Sequence, residues 1–125
     1  ETIFSQTSIA GILKSTSNLI EMGNEFARST NNELMLKSPT SLKITLKQIL
    51  DAKTMSLEDE LVMEYRMVQK CQSSGDFYEG VRAMLVDKDR NPQWQPNSLE
   101  KVNDIWINHF FESLGDNDLQ LINTN

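Results

Sequence analysis

Apolar residues recur three or four positions apart along most of the chain, and this helical spacing constrains the fold more than any other feature. Alternation of β-branched and polar residues over the length of a strand is nearly absent. The sequence therefore predicts an all-α protein with about five or six helices.

Serine residues placed before apolar runs predict where three helices begin. Ser8 is expected to cap a first helix, and Ser38 followed by proline is typical of a helix start. Ser56, with an acidic residue three positions later, resembles a capping box, and its helix should stop at Gly75. A second helical segment, from Phe26 to Met35, has a possible break at residues 29–32.

The last third of the chain predicts two more helical segments around a loop. Asp76 and Glu79 are read as a capping pair for a short helix that ends near Val86. Its inward stripe is expected to hold Phe77, Val81, Met84 and Leu85. A proline-rich loop at 87–97 follows. The final helix should cover 98–114 with a break near Asn103, and its two apolar stripes are Val102, Ile105, Trp106, His109 and Phe110, and Ile107, Phe111 and Leu114.

The helix predicted from Ser56 to about Ser73 is apolar on two nearly opposite sides. One stripe contains Leu57, Leu61, Tyr65 and Val68, and the other contains Met63, Met67 and Cys71. Such a helix is expected to be packed on both sides. If one side packs within the chain, the other should meet a neighbouring domain or a second copy, so exposed faces predict self-association.

Composition limits the function classes. The 125 residues leave room for one domain, and a net charge of −6 argues against nucleic-acid binding. No apolar run is long enough to cross a membrane. We expect a weakly helical lead-in at 1–36, a helical region at 37–115 and a disordered tail at 116–125. A start at Glu1 without a leader suggests an engineered or cleaved terminus.

No set of residues predicts catalysis. His109 lies on an apolar helix face and is read as a core or boundary histidine, and Cys71 is read as a buried, inert thiol. The acidic group at 58–60 fits a solvated first helical turn. Glu64 and Arg66 need partners, which suggests an ion pair within the chain or across to a neighbouring domain. The sequence has no metal-binding motif, so we predict no catalytic residue and no metal site.

Three separated blocks resemble the 3-hydroxyisobutyryl-CoA hydrolases, a branch of the crotonase (enoyl-CoA hydratase/isomerase) superfamily. They are residues 37–46 (KSPTSLKITL), 61–66 (LVMEYR) and 76–94 (DFYEGVRAMLVDKDRNPQW), and residues 108–115 are similar to the family's final helix. The resemblance implies the C-terminal helical region of a crotonase-type fold, without the upstream ββα spiral that carries the chemistry. It implies an intact mitochondrial hydrolase that cleaves 3-hydroxyisobutyryl-CoA in valine catabolism, and an inactive fragment.

The resemblance also implies a ligand contact. In several crotonases the C-terminal helices lend an aromatic side chain and a cation to coenzyme A, which here is part of the substrate rather than a cofactor. By position these residues are Phe77 and Lys88, with Arg82 and Arg90 nearby. A structural interpretation stands beside this one, because Phe77 fits an inward stripe and the charges at 87–90 alternate in sign and can pair with one another.

Two other functions stay open. The intact protein could be a crotonase that hydrates or isomerises its substrate, or the chain could belong to a non-catalytic helical interaction module or structural paralogue. The residues upstream of this chain would discriminate among them.

Overall fold

The computed structural model describes residues 3–121 and contains six α-helices and no strand within that range. The all-α prediction is confirmed. The helices are α1 (Ile9–Glu21), α2 (Glu25–Met35), α3 (Pro39–Ala52), α4 (Leu57–Gln72), α5 (Gly75–Val81) and α6 (Asp104–His109). A π-helical turn (Arg82–Val86) continues α5, and short 3₁₀ turns occur at Leu99–Lys101 and Gly115–Asn117.

Helices α1 and α2 form an antiparallel pair joined by a tight turn. Gly23 adopts a φ of 80°, and the amide of Asn24 donates to the carbonyl of Leu19 at 3.0 Å, the pattern of a Schellman helix end. The hydroxyl of Thr16 is fully buried and bridges to Asn31 at 3.0 Å. The Asn24 side chain caps α2 by accepting from the amide of Ala27 at 2.9 Å. The break predicted at 29–32 was wrong, because this cap and the bond between Thr16 and Asn31 stabilise α2 as one helix.

Helices α3, α4 and α6 enclose the main core. Serine caps predicted from the sequence are confirmed: the amide of Ser41 donates to the Ser38 hydroxyl at 3.2 Å, and the amide of Asp59 donates to Ser56 at 3.1 Å. The buried residues of this core are Ile44, Met63, Met67, Val102, Ile107 and Phe110. A second cluster, built on Ile3, Ile9, Ile12 and Ala27, packs α1 and α2 against the other side of α3.

Helix α4 presents one apolar face to the core and another to solvent. Met63 and Met67 are buried, whereas Leu57, Leu61 and Val68 are 67%, 41% and 49% exposed. The two apolar faces predicted for this helix are therefore present, one in the core and one at the surface. Within residues 3–121 the outer face is largely exposed.

Helix α5 departs from the sequence expectations in three ways. Gly75 begins α5 instead of ending α4, and Asp76 and Glu79 do not cap the helix. Their carboxylates accept hydrogen bonds from Ser38, the N-cap residue of α3, and from the loop after α5. The predicted inward stripe was wrong too, because Phe77, Met84 and Leu85 are 46%, 54% and 68% exposed, and the small Ala83 is buried instead.

The final helix is shorter than predicted. The break near Asn103 is confirmed, since the Asn103 side chain caps α6 by accepting from the amide of Trp106 at 2.8 Å. The helix ends at His109 rather than at 114. The two predicted apolar stripes do not match the buried residues. Ile107 and Phe110, which were assigned to different stripes, are both buried, whereas Ile105 is 83% exposed.

A bidentate ion pair connects α4 to the residues after α6. Arg66 donates from Nε and Nη2 to the two carboxylate oxygens of Asp118 at 2.8 and 2.7 Å, and Ser113 donates to the same carboxylate at 2.6 Å. The bond to Arg66 holds the pKa of Asp118 well below its usual value. Arg66 therefore has its partner within the chain, and Glu64 accepts from Gln48 instead. Asp118, which lies within the predicted disordered tail, is thus bonded to α4. Residues 122–125 lie outside the described residues.

Candidate functional site

The turn after α5 is organised around one guanidinium group. Arg82 donates from Nε and Nη2 to both oxygens of Glu79 at 2.8 and 2.7 Å. Its Nη1 donates to Asp87 and to Asp89, each at 2.7 Å. One cation thus contacts three carboxylates, all by charge-assisted hydrogen bonds. We call this group of four residues the Arg82 cluster.

The electrostatics of the cluster follow from these bonds. The bonds to Arg82, with one from the amide of Gln93, lower the pKa of Glu79 to about 2. Arg82 and the amide of Asn91 also lower the pKa of Asp89, and the three carboxylates raise the pKa of Arg82. The cluster combines one cationic side chain with three acidic ones, so its formal charge is negative.

A π-helical turn brings Asp87 and Asp89 close to Arg82. The amide of Asp87 donates to the carbonyl of Arg82 at 2.8 Å, five residues back, and the amide of Arg90 donates to Ala83 at 3.0 Å. Such turns occur often at functional sites. Met84, Leu85 and Val86 are all more than half exposed on the outside of this turn.

Two residues of the turn adopt a left-handed backbone conformation and expose cationic side chains. Lys88 has a φ of 57° and Arg90 a φ of 54°. Positive φ is uncommon for residues other than glycine. Within residues 3–121, neither side chain makes a hydrogen bond or an ion pair. The turn therefore presents two unpaired cations to solvent, whereas the neighbouring Asp87 and Asp89 both contact Arg82.

The loop returning from this turn is bonded to α5 and to the C-terminal end of α2. The amide of Gln93 donates to Glu79 at 2.7 Å, and the amide of Gln95 donates to Asp76 at 2.8 Å. The Trp94 indole donates to the carbonyl of Leu36 at 3.0 Å. Its ring packs on Gly80, where an added Cβ would approach the ring to 3.3 Å. Hydrogen bonds from Gln93, Gln95 and Trp94 therefore hold the segment that follows the turn in place.

Phe77 borders a different feature, an apolar cavity of about 520 Å³. The cavity lies between the α1–α2 pair, α3 and the start of α5, and Trp94 also lines it, but Lys88 does not. Phe77 lies in the first turn of α5, whereas Lys88 follows the π-helical turn beyond the C-terminal end of that helix. The structure therefore does not bring the two predicted coenzyme A contacts into one pocket.

The other candidate residues form no reactive constellation in the described range. The His109 ring stacks on Trp106, with ring centroids 5.8 Å apart, and its Nδ1 lies 3.0 Å from Glu112. It is a partly exposed boundary histidine. The Cys71 thiol is half-buried, and burial raises its pKa, so the reactive thiolate is disfavoured. The carboxylates at 58–60 occupy the first turn of α4 as predicted.

Two further classes of site find no support in residues 3–121. His, Cys, Asp and Glu side chains form no group there that could hold a metal ion. Among the same residues, every helix is too short or too polar to cross a bilayer.

Sequence reasoning found the segment but missed its central residue. The sequence places Arg82 only near Lys88, and the π-helical turn that brings Arg82 to Asp87 and Asp89 is not evident from the sequence. The acidic residues at positions −3, +5 and +7 from Arg82 were the available signal. The expectation that charges at 87–90 pair with one another was wrong for the two aspartates, which pair with Arg82.

The chain is similar to curated hydrolases of 3-hydroxyisobutyryl-CoA. It is 46% identical over 119 residues to the mitochondrial 3-hydroxyisobutyryl-CoA hydrolase of Gallus gallus, covering 95% of this chain and 30% of that protein. The human enzyme is 42% identical over 117 residues, with 94% and 30% covered. The chain thus spans about 30% of these relatives.

A solved structure and a family model agree with these relatives. A carnitinyl-CoA dehydratase from Mycobacterium thermoresistibile superposes with a TM-score of 0.79 at 31% identity, over 90% of this chain and 31% of the dehydratase. The model of the enoyl-CoA hydratase/isomerase family matches residues 1–111. The chain belongs to the enoyl-CoA hydratase/isomerase family, the crotonases.

Proposed function

We propose that this chain is the C-terminal helical part of a mitochondrial hydrolase that cleaves 3-hydroxyisobutyryl-CoA to 3-hydroxyisobutyrate and coenzyme A in valine catabolism. The observation that carries the proposal is the 46% identity to a hydrolase of that name over 95% of the chain. Coenzyme A enters as part of the substrate, and the reaction requires no separate cofactor.

The chemical step belongs to the rest of the protein. Thioester cleavage requires a positioned acid or base and hydrogen-bond donors for the oxyanion that develops on the carbonyl. The His109 ring interacts with Trp106, Phe110, Glu112 and Lys70. Cys71 is half-buried, and burial raises its pKa. Within 3–121 we therefore assign no catalytic residue, and we expect this chain alone to be inactive.

The contribution of this chain to the substrate site is a phosphate contact by Lys88. Its ammonium group is exposed, unpaired and held on a turn of defined conformation, as a phosphate ligand requires. Phe77 is the proposed aromatic contact for the adenine, and its half-exposed ring is accessible for stacking. Because Phe77 lies at the far end of α5, separate substitutions are needed to test the two contacts.

The outer face of α4 supports a second contribution. Leu57, Leu61 and Val68 form an exposed apolar stripe on a helix whose opposite face is buried. Such a stripe is typical of an interface. We assign it to packing against the larger part of the protein, which this chain does not include.

A substrate panel tests the proposed reaction. The intact protein is incubated with 3-hydroxyisobutyryl-CoA, and released thiol is measured; in parallel, hydration of an enoyl-CoA is followed by loss of its conjugated absorbance. Thiol release without hydration is expected. Hydration without thiol release would contradict the proposal.

The second candidate is a hydratase or dehydratase, favoured by the structural similarity to a carnitinyl-CoA dehydratase. The same panel separates the two, because dehydration leaves the thioester intact and releases no thiol. A protein that turned over neither ester would instead favour a non-catalytic paralogue.

Substitutions in the intact protein test the coenzyme A contacts. Lys88→Ala is expected to raise KM for the CoA ester about tenfold, as for loss of one charge-assisted hydrogen bond, while kcat is retained. Phe77→Leu should raise KM by a smaller factor through loss of stacking. Lys53→Ala, a change at an exposed lysine remote in sequence from α5, is the matched control and should leave KM unchanged. An unchanged KM for Lys88→Ala would contradict the phosphate contact.

A further inference from the structure

We propose that Arg82 is a positioning residue, one that holds the turn 87–91 in the conformation that presents Lys88 to the phosphates of a coenzyme A ester. This inference rests on the proposed function and assigns a role to a residue that does not itself contact the substrate. It follows from the bonds, the backbone and the charges of the Arg82 cluster.

The bonding of Arg82 connects the helix to the turn. Glu79 belongs to α5, whereas Asp87 and Asp89 lie on either side of Lys88, and all three carboxylates contact the same guanidinium. The Arg82 Nη2 also reaches the carbonyl of Asn91 at 3.3 Å. Fixing both neighbours of Lys88 to one rigid, planar group determines the direction in which the lysine side chain leaves the turn.

The backbone of the turn requires such support. Two residues with positive φ, Lys88 and Arg90, lie within three positions. Conformations of this kind are unfavourable for residues with a Cβ and persist where the surrounding contacts over-determine them. The Arg82 cluster and the bond from the Arg90 amide to Ala83 are those contacts. Loss of Arg82 should release the turn into more common conformations.

Charge gives Arg82 a second effect on Lys88. Asp87 and Asp89 are the sequence neighbours of Lys88, and without Arg82 they would be free to pair with its ammonium group and to repel a phosphate. In the structure both carboxylates are directed to Arg82 at 2.7 Å, and Lys88 stays unpaired. Arg82 thus keeps the lysine available for an anionic ligand. Arg82 itself is fully occupied, which argues against its being the phosphate ligand.

The experiment uses the intact enzyme and three thioesters of the same acyl group: the CoA ester, the dephospho-CoA ester and the pantetheine ester, which lacks every phosphate of the nucleotide. Arg82→Gln is expected to raise KM about tenfold for the CoA ester and to leave KM for the pantetheine ester and both kcat values nearly unchanged. The dephospho-CoA ester shows which phosphate is involved. An effect lost with this ester assigns Lys88 to the 3′-phosphate, and an effect retained assigns it to the pyrophosphate.

A double substitution separates positioning from an independent contact. If Arg82 acts through Lys88, the KM of Arg82→Gln/Lys88→Ala should equal that of Lys88→Ala alone. Arg82→Lys keeps the charge but loses the planar fork, so its KM should lie between those of wild type and Arg82→Gln. The same variant replaces Arg82→Gln in the test if Arg82→Gln fails to fold. Arg66→Gln is the matched control, because it removes a bidentate arginine pair elsewhere and should not alter the preference for the CoA ester.

Two results would overturn the inference. One is an equal rise in KM for the CoA and pantetheine esters in Arg82→Gln, which indicates a general structural defect. The other is multiplication of the Arg82→Gln and Lys88→Ala effects in the double variant. Failure of the proposed function looks different, because the wild-type enzyme would then release no thiol from any of the three esters.

Discussion

The core of α3, α4 and α6 and the turn that follows α5 are held together by different forces. The core buries Phe110, Val102 and Ile107 almost completely, with 1%, 2% and 5% of each residue exposed. The turn at 87–91 is exposed throughout, and charge-assisted hydrogen bonds to Arg82 determine its shape. Substitutions in the core should therefore affect folding, and substitutions in the turn should affect ligand binding.

The largest expected effect tests the core side of this comparison. Phe110→Ala removes the largest fully buried side chain and should lower the free energy of unfolding by about 3–5 kcal/mol. Urea unfolding of the 125-residue chain, followed by far-ultraviolet circular dichroism, measures the change. Ile105→Ala, on the same helix but 83% exposed, is the control and should stay within about 0.5 kcal/mol of wild type. Similar losses for both variants would show that the core is not packed as described.

A second substitution acts where α5 meets the base of the turn. In Gly80→Ala the new methyl group would lie 3.3 Å from the Trp94 ring, so the ring must move or the helix must shift. Overpacking of this kind costs about 1–3 kcal/mol. The loss of stability should be accompanied by a weaker hydrogen bond from the Trp94 indole to Leu36, which a change in tryptophan fluorescence would report. Gly75→Ala, with open space at the Cβ position, is the matched control and should leave the fluorescence unchanged.

Acid should weaken the turn through Glu79. Its pKa is lowered from 4.5 to about 2, so its ionised form is stabilised in the folded chain. The resulting stability is fully present above pH 4.5 and should be lost as the pH falls toward 2. Comparison of stability against pH for wild type and Glu79→Gln measures this contribution. The two curves should converge in acid, and a constant difference between pH 5 and pH 2 would contradict the assignment.

The smallest expected effect on stability concerns the outer face of α4. Leu61→Glu changes a residue that is 41% exposed, so the monomer should unfold within about 0.5 kcal/mol of wild type. The same change should reduce self-association of the isolated chain, which we expect because Leu57, Leu61 and Val68 are uncovered. Sedimentation velocity measures the association. A wild-type chain that sediments only as a compact monomer and binds no hydrophobic dye would contradict this expectation.

Helix positions were predictable because their signals are local. Ser8, Ser38 and Ser56 cap the helices whose starts they predicted, each by accepting from the amide three positions later. Asn103, which was predicted only as a break, caps α6 in the same way. The extent of α5 was not predictable in this way. Asp76 and Glu79 have the spacing of a capping pair, but both carboxylates accept hydrogen bonds from amides in the loop after α5 instead.

Long-range pairings account for most of the remaining differences. Arg66 and Asp118 are 52 positions apart, and Trp94 reaches a carbonyl 58 positions away. No periodicity in the sequence encodes these contacts. The candidate site was located by its resemblance to a family, whereas its geometry depends on a π-helical turn, which a regular 3.6-residue pattern does not reveal.

The claim that the chemical step belongs to the rest of the protein is tested most directly by comparing thioester cleavage by the 125-residue chain with cleavage by the intact protein. Thiol release from 3-hydroxyisobutyryl-CoA is measured at equal molar concentrations of the two. Turnover by the intact protein and none above background by the chain alone is the expected result. Turnover by the chain alone would contradict the account.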